Sequence, residues 1–280
     1  MGTPTGGGSV VWSTLRSIIS ENVEYSSQVW YLAGNDLKKS VHGTWLGYFW
    51  LIAKPLVYLG TFWFTLEIGL RVARSPADGV PYPIWLAAGL FPWLYMSSMI
   101  SSGSNVYKSY SYLVTKLRFP LSVISTFYSL SQMIVFVLTL VVLGVAMALL
   151  KVPFTIYLVQ LPVLIIVIHL TFTIWSMLAS PLSAISKDFH NLVKVMTMPL
   201  MWISGVFFDV SQIHISWIKI VLAFNPVSFF CASFRAAICD QYWIWRDPNA
   251  IYSFLVTLVV MFLLALLVQT RMRKQVPDVL

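Results

Sequence analysis

Charge is scarce in this sequence. Only 10% of its 280 residues are charged, whereas a soluble globular domain carries about 25%. Hydrophobic residues make up 58%, and the mean hydropathy is +0.79. The shortage excludes an ordinary soluble domain, because a lipid-facing surface needs few charges. We predict an all-α polytopic membrane protein.

Cysteine and histidine are also rare, which limits the chemistry available to the chain. The two cysteines, Cys231 and Cys239, are too few for a disulfide framework and lack metal-ligand spacing. The four histidines lie in different segments, and the sequence has no phosphate-binding loop, zinc-protease motif or nucleophile elbow. We therefore predict no catalytic residue, no metal site and no cofactor in this chain.

Acidic residues are missing from the middle of the apolar segments. Glu67 lies near the end of one segment, while Asp188 and Asp209 flank another. Carriers driven by protons place ionisable residues near the bilayer midplane. A transport function would then take its energy from a separate cytoplasmic partner, which would bind ATP and magnesium and hydrolyse the ATP.

Long apolar runs are abundant, and several reach the roughly 20 residues that a helix needs to cross a bilayer. We predict six transmembrane helices, at residues 44–70, 83–106, 119–150, 154–180, 190–208 and 250–270. Residues 13–38 are apolar only at helical spacing, which predicts an N-terminal cytoplasmic interfacial helix. Residues 1–43 would form a tail with this helix, and residues 44–280 the six-span domain.

The segment between the last two predicted spans, 209–249, is apolar only in short pieces. Those at about 213–223 and 226–238 are too short to cross, so we predict outer re-entrant helices. Asn225 would cap the second piece, with Pro226 in its first turn.

Arg235 lies inside this second apolar piece. A cation there is costly unless it is paired, and Asp209 and Asp240 are candidate partners.

Positive charge predicts the orientation. With both termini in the cytoplasm, twelve of the 18 Lys and Arg residues lie on the inner side, as the positive-inside rule requires. The basic residues stand between apolar runs and form no continuous stripe, so we expect no nucleic-acid partner.

The predicted inner loop between the second and third spans combines bases with aromatics. Its candidate contact residues are Tyr107, Lys108, Tyr110, Tyr112, Leu113, Lys116 and Arg118. The bases could merely enforce topology, or the loop could dock a cytoplasmic partner and transmit its motion. The residues alone leave these two interpretations evenly matched.

Five stretches carry a family resemblance. They are "SVHGTWLGYFWLIAKPL" (40–56), "YPIWLAAGLFPW" (82–93), "KLRFPLSVIST" (116–126), "ISKDFHNLV" (185–193) and "FNPVSFFCASFRAAI" (224–238). Together and in this order they resemble the permease subunits of polysaccharide-exporting ABC transporters. Two features depart from that pattern: Lys187 replaces an arginine before Asp188, and "ISGVFFD" (203–209) lacks a usual proline.

The resemblance implies a homodimer in a bacterial plasma membrane, bound to two ABC ATPase subunits and moving a polymer carried on a polyprenyl diphosphate. Wall teichoic acid exporters look most similar, with O-antigen and capsule exporters next. The family architecture favours docking for the loop at 107–118. It also implies a second inner loop at Lys187 and Asp188, and an outer re-entrant motif of Asn225, Pro226 and Arg235.

A polymer would need a channel at the dimer interface, and aromatic faces bind sugars without fixing one register. The candidate lining residues are Trp45, Phe49, Tyr58, Trp63, Trp93 and Tyr95, although such aromatics also pack inside bundles or lie at the lipid interface. The lipid diphosphate needs cations. Candidates are Arg16, Lys38 and Lys39 inside, and Arg71, Arg74 and Arg235 outside.

Two other functions remain open at this stage. An ATPase-independent flippase would share the membrane topology. A membrane-embedded enzyme acting on lipid-linked sugars would need a cluster of acids or a His–Asp pair on one face, which we do not find in the sequence.

Overall fold

The structure, a computed structural model, describes residues 7–71, 77, 79–117, 119–273 and 275–276. Within this part of the chain there is no β-strand, which confirms the predicted all-α class. The helices are α1 Gly7–Glu24, α2 Ser26–Val41, α3 Phe49–Trp63, α4 Tyr82–Ser101, α5 Val106–Ser109, α6 Ser111–Thr115, α7 Leu121–Leu149, α8 Leu161–Ile185, α9 Lys187–Ile203, α10 Ser216–Ala223, α11 Pro226–Ile238 and α12 Pro248–Met272. A π-helical turn, Phe64–Gly69, extends α3.

Most of the predicted spans are present. The helical stretches that are long and apolar enough to cross a membrane are Phe49–Gly69, Tyr82–Ser109, Leu121–Leu149, Ile156–Ile185 and Pro248–Met272. Among the described residues there are therefore five such stretches, and each coincides with a predicted span. The protein is an integral membrane protein.

The predicted fifth span, 190–208, is the exception. It corresponds to α9, which has 17 residues and is therefore about 25 Å long at 1.5 Å per residue. The hydrocarbon core of a bilayer is about 30 Å thick. The helix stops at Ile203 because the chain turns at Gly205, whose φ of +76° favours glycine.

The segment after α9 matches the sequence prediction of two short apolar pieces. They form α10 and α11, which meet at 87° and could count as one broken span or as a re-entrant loop. Asn225 is the N-cap of α11, since its side chain accepts a hydrogen bond from the Val227 amide at 2.9 Å. The predicted cap and the first-turn proline, Pro226, are thereby confirmed.

The N-terminal region differs from the prediction of one interfacial helix over 13–38. Two helices, α1 and α2, meet at Tyr25. In α2 the residues Val29, Ala33 and Leu37 recur one turn apart and are buried, so this helix packs along α7. The apolar stripe of α2 is thus covered by α7.

The core of the bundle surrounds α4. The apolar window of α4 is 78% buried, compared with 17% for α3. Helices α7, α8, α9 and α11 all pack against α4. The central helix therefore supplies packing, while α3 leaves most of its surface open to lipid or to another chain.

Helix α7 is longer than a bilayer requires. Its 29 residues extend about 43 Å. Ser131, on its buried face, bonds to Asp36 of α2, and the neighbouring Lys38 and Lys39 are exposed. Exposed lysines belong at the headgroup level. Residues 132–149 alone cover about 27 Å, which suffices for the hydrocarbon core.

One carboxylate ties both ends of the chain to α7. Glu21 of α1 accepts hydrogen bonds from Ser122 of α7, at 2.5 Å, and from Arg273, just after α12. The Glu21–Arg273 ion pair is largely shielded from solvent, with side-chain exposures of 17% and 26%. Charged partners make such bonds stronger than neutral ones.

We expect Glu21→Gln to destabilise the protein, because it removes the charge from this junction while keeping the side chain's size. The cost should be about 1–3 kcal/mol, observed as a lower midpoint of thermal unfolding in detergent. Glu24→Gln, which neutralises an exposed acid one turn later in α1, should leave the midpoint unchanged. Equal midpoints for both variants would contradict the role of Glu21.

Candidate functional site

The predicted inner loop folds as a compact segment, residues 103–117, which we call the inner segment. A 3₁₀ turn at Gly103–Asn105 leads into α5 and α6. Ser176 and Ser180 of α8 both donate hydrogen bonds to the Gly103 carbonyl, at 2.7 and 2.8 Å. Two hydroxyls on one carbonyl fix the start of the segment against α8.

Tyr107 and Lys108 anchor the middle of the inner segment. Tyr107 is fully buried, and its hydroxyl accepts a hydrogen bond from Gln269 of α12 at 3.0 Å. Lys108 donates from Nζ to the Ser183 carbonyl of α8 at 2.7 Å. The lysine therefore holds the segment to the bundle, a contact that a purely topological charge would not need.

The other face of the inner segment is open. Tyr112 is 64% exposed, and Lys116 is also exposed, while Tyr110 and Leu113 are half-buried. Arg118 lies outside the described residues. One face thus anchors the segment and the opposite face presents an aromatic ring with a nearby cation, which is an arrangement suited to docking.

The predicted second inner loop adjoins this segment. Lys187 and Asp188 are exposed in the first turn of α9, immediately after α8. Ser186 caps the helix by accepting a hydrogen bond from the Phe189 amide at 3.3 Å. Ser104 of the inner segment lies 3.3 Å from Nδ1 of His190. The two predicted inner elements therefore meet in the structure.

The candidate channel residues fall into two groups, the first around α3 and the second, Trp93 and Tyr95, in α4. Trp45, Phe49 and Tyr58 are exposed, with Trp45 at 97%, and they lie on or just before α3. Trp63 is half-buried and donates to the Glu67 carboxylate within the same helical stretch.

Trp93 and Tyr95 require a correction. Each is only 3% exposed and is enclosed by its own bundle. Tyr95 lies 2.9 Å from Ser129 Oγ of α7, and its ring stacks on Phe136 at 5.5 Å. Their burial argues against the predicted lining role, since an enclosed side chain presents no surface to a polymer. Tyr95 packs α4 against α7, and Trp93 belongs to the core around α4.

The predicted inner cations, Arg16, Lys38 and Lys39, are exposed on α1 and α2. On the predicted outer side, Arg71 is exposed with a φ of +53°. Arg74 lies outside the described residues.

Arg235 differs most from its predicted role as a lipid-diphosphate contact. It is only 4% exposed. Its guanidinium donates to the carbonyls of Gly205, Val206 and Phe208, at 2.6 Å for Gly205 and 3.2 Å for Phe208. All three carbonyls belong to the turn after α9. Its burial and these backbone acceptors leave few guanidinium donors for a phosphate group.

The same guanidinium also contacts α4. Its Nε donates to the Trp85 carbonyl at 3.4 Å, and its carbon Cζ lies 3.6 Å from the centre of the Trp85 ring. This close stacking is a cation–π contact in a site shielded from water. Arg235 thus joins α11, α4 and the turn after α9, and we call these contacts the arginine clamp.

A small polar cavity adjoins the arginine clamp. Its volume is about 190 Å³, and the lining residues are Trp85, Gly205, Asp209, Val210, Ser228, Ala232, Arg235, Asp240 and Tyr242. Burial raises the pKa of Asp240 to about 6, the Asp209 carboxylate adds to the rise, and Arg235 opposes it. The two acids predicted as partners of Arg235 therefore share its cavity, although backbone carbonyls hold the guanidinium.

Four residues important to these arrangements were missed in the sequence: Glu21, Asp36, Trp85 and Gly89. Asp36 is the one acidic residue in the sequence of α2, and that was a usable signal, whereas Glu21 stands among polar neighbours. Gly89 carried none, since its role is to leave room for the Arg235 guanidinium of α11, a helix distant in sequence.

These features define a polytopic helical membrane protein. Residues 27–239 match the family described as ABC-2 type transporter. The match covers more than half of the chain, so the chain belongs to the ABC-2 type transporter family.

Three relatives carry the name O-antigen export system permease protein RfbA. The protein from Myxococcus xanthus is 27% identical over 83% of this chain and 86% of its own length. Two proteins from Klebsiella pneumoniae are 23% and 22% identical, over 73% and 81% of this chain and 77% and 87% of their own lengths. The chain is thus similar to these permeases over most of its length.

We expect Gly89→Ala to disrupt the arginine clamp. A Cβ at this position would lie 2.3 Å from Nη2 of Arg235 and 2.8 Å from its Cζ, so the guanidinium would have to leave its carbonyls. Overpacking of this kind costs about 1–3 kcal/mol, and the thermal unfolding midpoint in detergent should fall.

The matched control is Gly144→Ala in α7, where a Cβ would meet no atom within 4 Å. It should leave the midpoint unchanged or raise it slightly, because alanine is the better helix former. An equal midpoint for Gly89→Ala and wild type would argue against a rigid clamp.

Proposed function

We propose that this chain is the transmembrane subunit of an ABC transporter that exports a polysaccharide, driven by a separate ATPase subunit. The observation that carries the proposal is the inner segment, which is anchored on one face and open on the other. Because Tyr107 and Lys108 fix it to α8 and α12, a force applied at Tyr112 acts on the bundle. The family membership makes an ABC ATPase the natural source of that force.

The ATPase would supply the ATP and magnesium sites. In the sequence there is no phosphate-binding loop, and the described residues contain no group of three or more His, Cys, Asp or Glu side chains that could hold a metal ion. Two ATPase copies would serve two permeases. Lys187 and Asp188 would add a second contact beside the inner segment.

The permease would work as a homodimer. Helix α3 leaves most of its surface uncovered, with the aromatics Phe49 and Tyr58 exposed, and α9 buries only Val193. These exposed surfaces provide the area that a second copy and a polymer path between copies require. Trp45, Phe49 and Tyr58 remain the candidate lining residues.

The proposed substrate is a polymer linked to a polyprenyl diphosphate. The three relatives support an O-antigen type of polysaccharide ahead of the wall teichoic acid that the sequence resemblance favours. Arg16, Lys38 and Lys39 would attract the diphosphate at the cytoplasmic leaflet. The location would be a bacterial plasma membrane, with both termini in the cytoplasm.

The proposal is tested by purifying the chain with its ATPase and reconstituting both in vesicles that contain a lipid-linked polysaccharide. ATP addition should move the polymer to the opposite leaflet, where an added glycosidase can reach it. An ATPase that never copurifies, or transport that continues without ATP, would refute the proposal and favour an ATPase-independent flippase.

We expect Tyr112→Ala to weaken the docking of the ATPase. Aromatic residues supply large contact areas, and truncating an interface anchor costs about 2 kcal/mol or more, so less ATPase should copurify with the variant. Tyr252→Ala removes a comparably exposed tyrosine, 69% exposed, at the opposite end of the bundle on α12. Copurification equal to wild type in both variants would exclude Tyr112 as an anchor.

A further inference from the structure

Asp36 connects three elements through one carboxylate. It lies on α2, and its Oδ1 accepts a hydrogen bond from the Tyr110 hydroxyl of the inner segment. Its Oδ2 accepts a hydrogen bond from the Ser131 hydroxyl of α7. Each oxygen is therefore engaged by a different element. Hydrogen bonds to an ionised carboxylate are shorter and stronger than neutral ones.

Tyr110 is well placed to move with the inner segment. It lies between α5 and α6, where its φ of −118° and ψ of 29° interrupt the helix. Its ring meets Phe127 of α7 edge-on at 5.0 Å, and Nζ of Lys39 lies 5.2 Å from the ring centre. A displacement of α6 thus reaches the Tyr110 hydroxyl, and through it Asp36.

The contacts of Asp36 continue towards the core. Gln132 donates to the Ser131 hydroxyl at 3.4 Å, and Ser98 of α4 donates to Gln132 Oε1 at 2.9 Å. These bonds hold Ser131 and α4 in a fixed relation. The α7 side of the Asp36 contact is therefore rigid, and relative movement is concentrated on the side of Tyr110.

Helix α2 leads directly to α3. The connection, residues 42–48, is a run of tight turns in which the Thr44 amide bonds to the Val41 carbonyl at 3.2 Å and the Gly47 amide to the Thr44 carbonyl at 3.4 Å. Gly43 and Gly47 have positive φ angles, which tightens the turns. A shift of α2 is thus passed to α3, the least buried of the candidate spans.

We propose that Asp36 is a positioning residue that makes α2 and α3 follow the inner segment when the ATPase acts. This inference rests on the proposed function and adds a second path by which motion of the ATPase reaches the bundle. The first path runs from the inner segment into α7 along the chain. The second crosses from Tyr110 to Asp36 and reaches α3, whose exposed aromatics Phe49 and Tyr58 are proposed to line the polymer path.

The test compares export with ATP use in the reconstituted full complex. Asp36→Asn keeps the side chain's shape but removes the negative charge of the acceptor, so the hydrogen bond with the Tyr110 hydroxyl becomes a weaker, neutral one. Tyr110→Phe removes the same bond from the other side and keeps the ring against Phe127. We expect each variant to lower polymer exported per ATP hydrolysed by about fivefold or more.

The double variant should export no less polymer per ATP than the worse single variant, because both changes act on the same Tyr110–Asp36 hydrogen bond. Glu24→Gln, a neutralised exposed acid on α1, should keep the wild-type ratio. A purely structural role would reduce the yield of complex and leave the ratio intact. A wild-type ratio in both Asp36→Asn and Tyr110→Phe would overturn the proposal, and if Asp36→Asn does not assemble, Tyr110→Phe decides.

A second measurement does not depend on polymer export. Spin labels at Thr115 of α6 and Thr44, both exposed, report the distance between the inner segment and the end of α2. ATP should leave this distance unchanged in the wild type and change it in Asp36→Asn. A distance that changes equally in the wild type and in Asp36→Asn would refute the proposed role of Asp36. A constant wild-type distance without polymer export would refute only the proposed function.

Discussion

A chain inside a bilayer has to satisfy every backbone carbonyl with its own groups, because lipid offers no hydrogen-bond donor. The turn after α9 is not helical, so the carbonyls of Gly205, Val206 and Phe208 need hydrogen-bond donors from elsewhere in the chain. Arg235 meets this need with one side chain, since a guanidinium carries five donors in a fixed plane. The broken structure between α9 and α11 depends on that arginine, and Trp85 and Gly89 provide the space in which it lies.

The predicted inner end of the bundle is held together by different contacts. There, carboxylates from α1 and α2 meet hydroxyls of α7, and the inner segment is tied to α8 and α12 by serine, lysine and glutamine side chains. These bonds are directional and individually modest, so the inner end has discrete contacts that can exchange. The predicted outer end is held by a buried cation, whose removal leaves several groups unsatisfied at once.

Much of the fold was predictable from the sequence because apolar length and proline position are local signals. Five spans, the two short pieces around Asn225 and the helix cap at that residue all follow from such signals. The fifth predicted span was too long because apolar content continues past Ile203, while the backbone turns at Gly205. Hydropathy does not report that turn.

The site was less predictable because its roles depend on burial. Trp93 and Tyr95 have the residue types of a sugar-binding surface, yet they lie in the core around α4. Arg235 has the charge of a phosphate ligand, yet three of its acceptors are carbonyls of a segment 27 to 30 residues earlier in the chain. Residue type identifies the candidates. Only the packing of helices distant in sequence shows which candidates are exposed and which are buried in the core.

The length of α7 has a consequence for the geometry of the whole assembly. If residues 132–149 cross the hydrocarbon core, residues 121–131 extend about 16 Å beyond it on the predicted inner side of the membrane. The headgroup layer takes up about 5–7 Å of that height. In the proposed complex, the remaining height would separate the membrane surface from an ATPase docked at Tyr112. The proposed lipid-linked substrate would then approach α2 and α3 from the side, without displacing that ATPase.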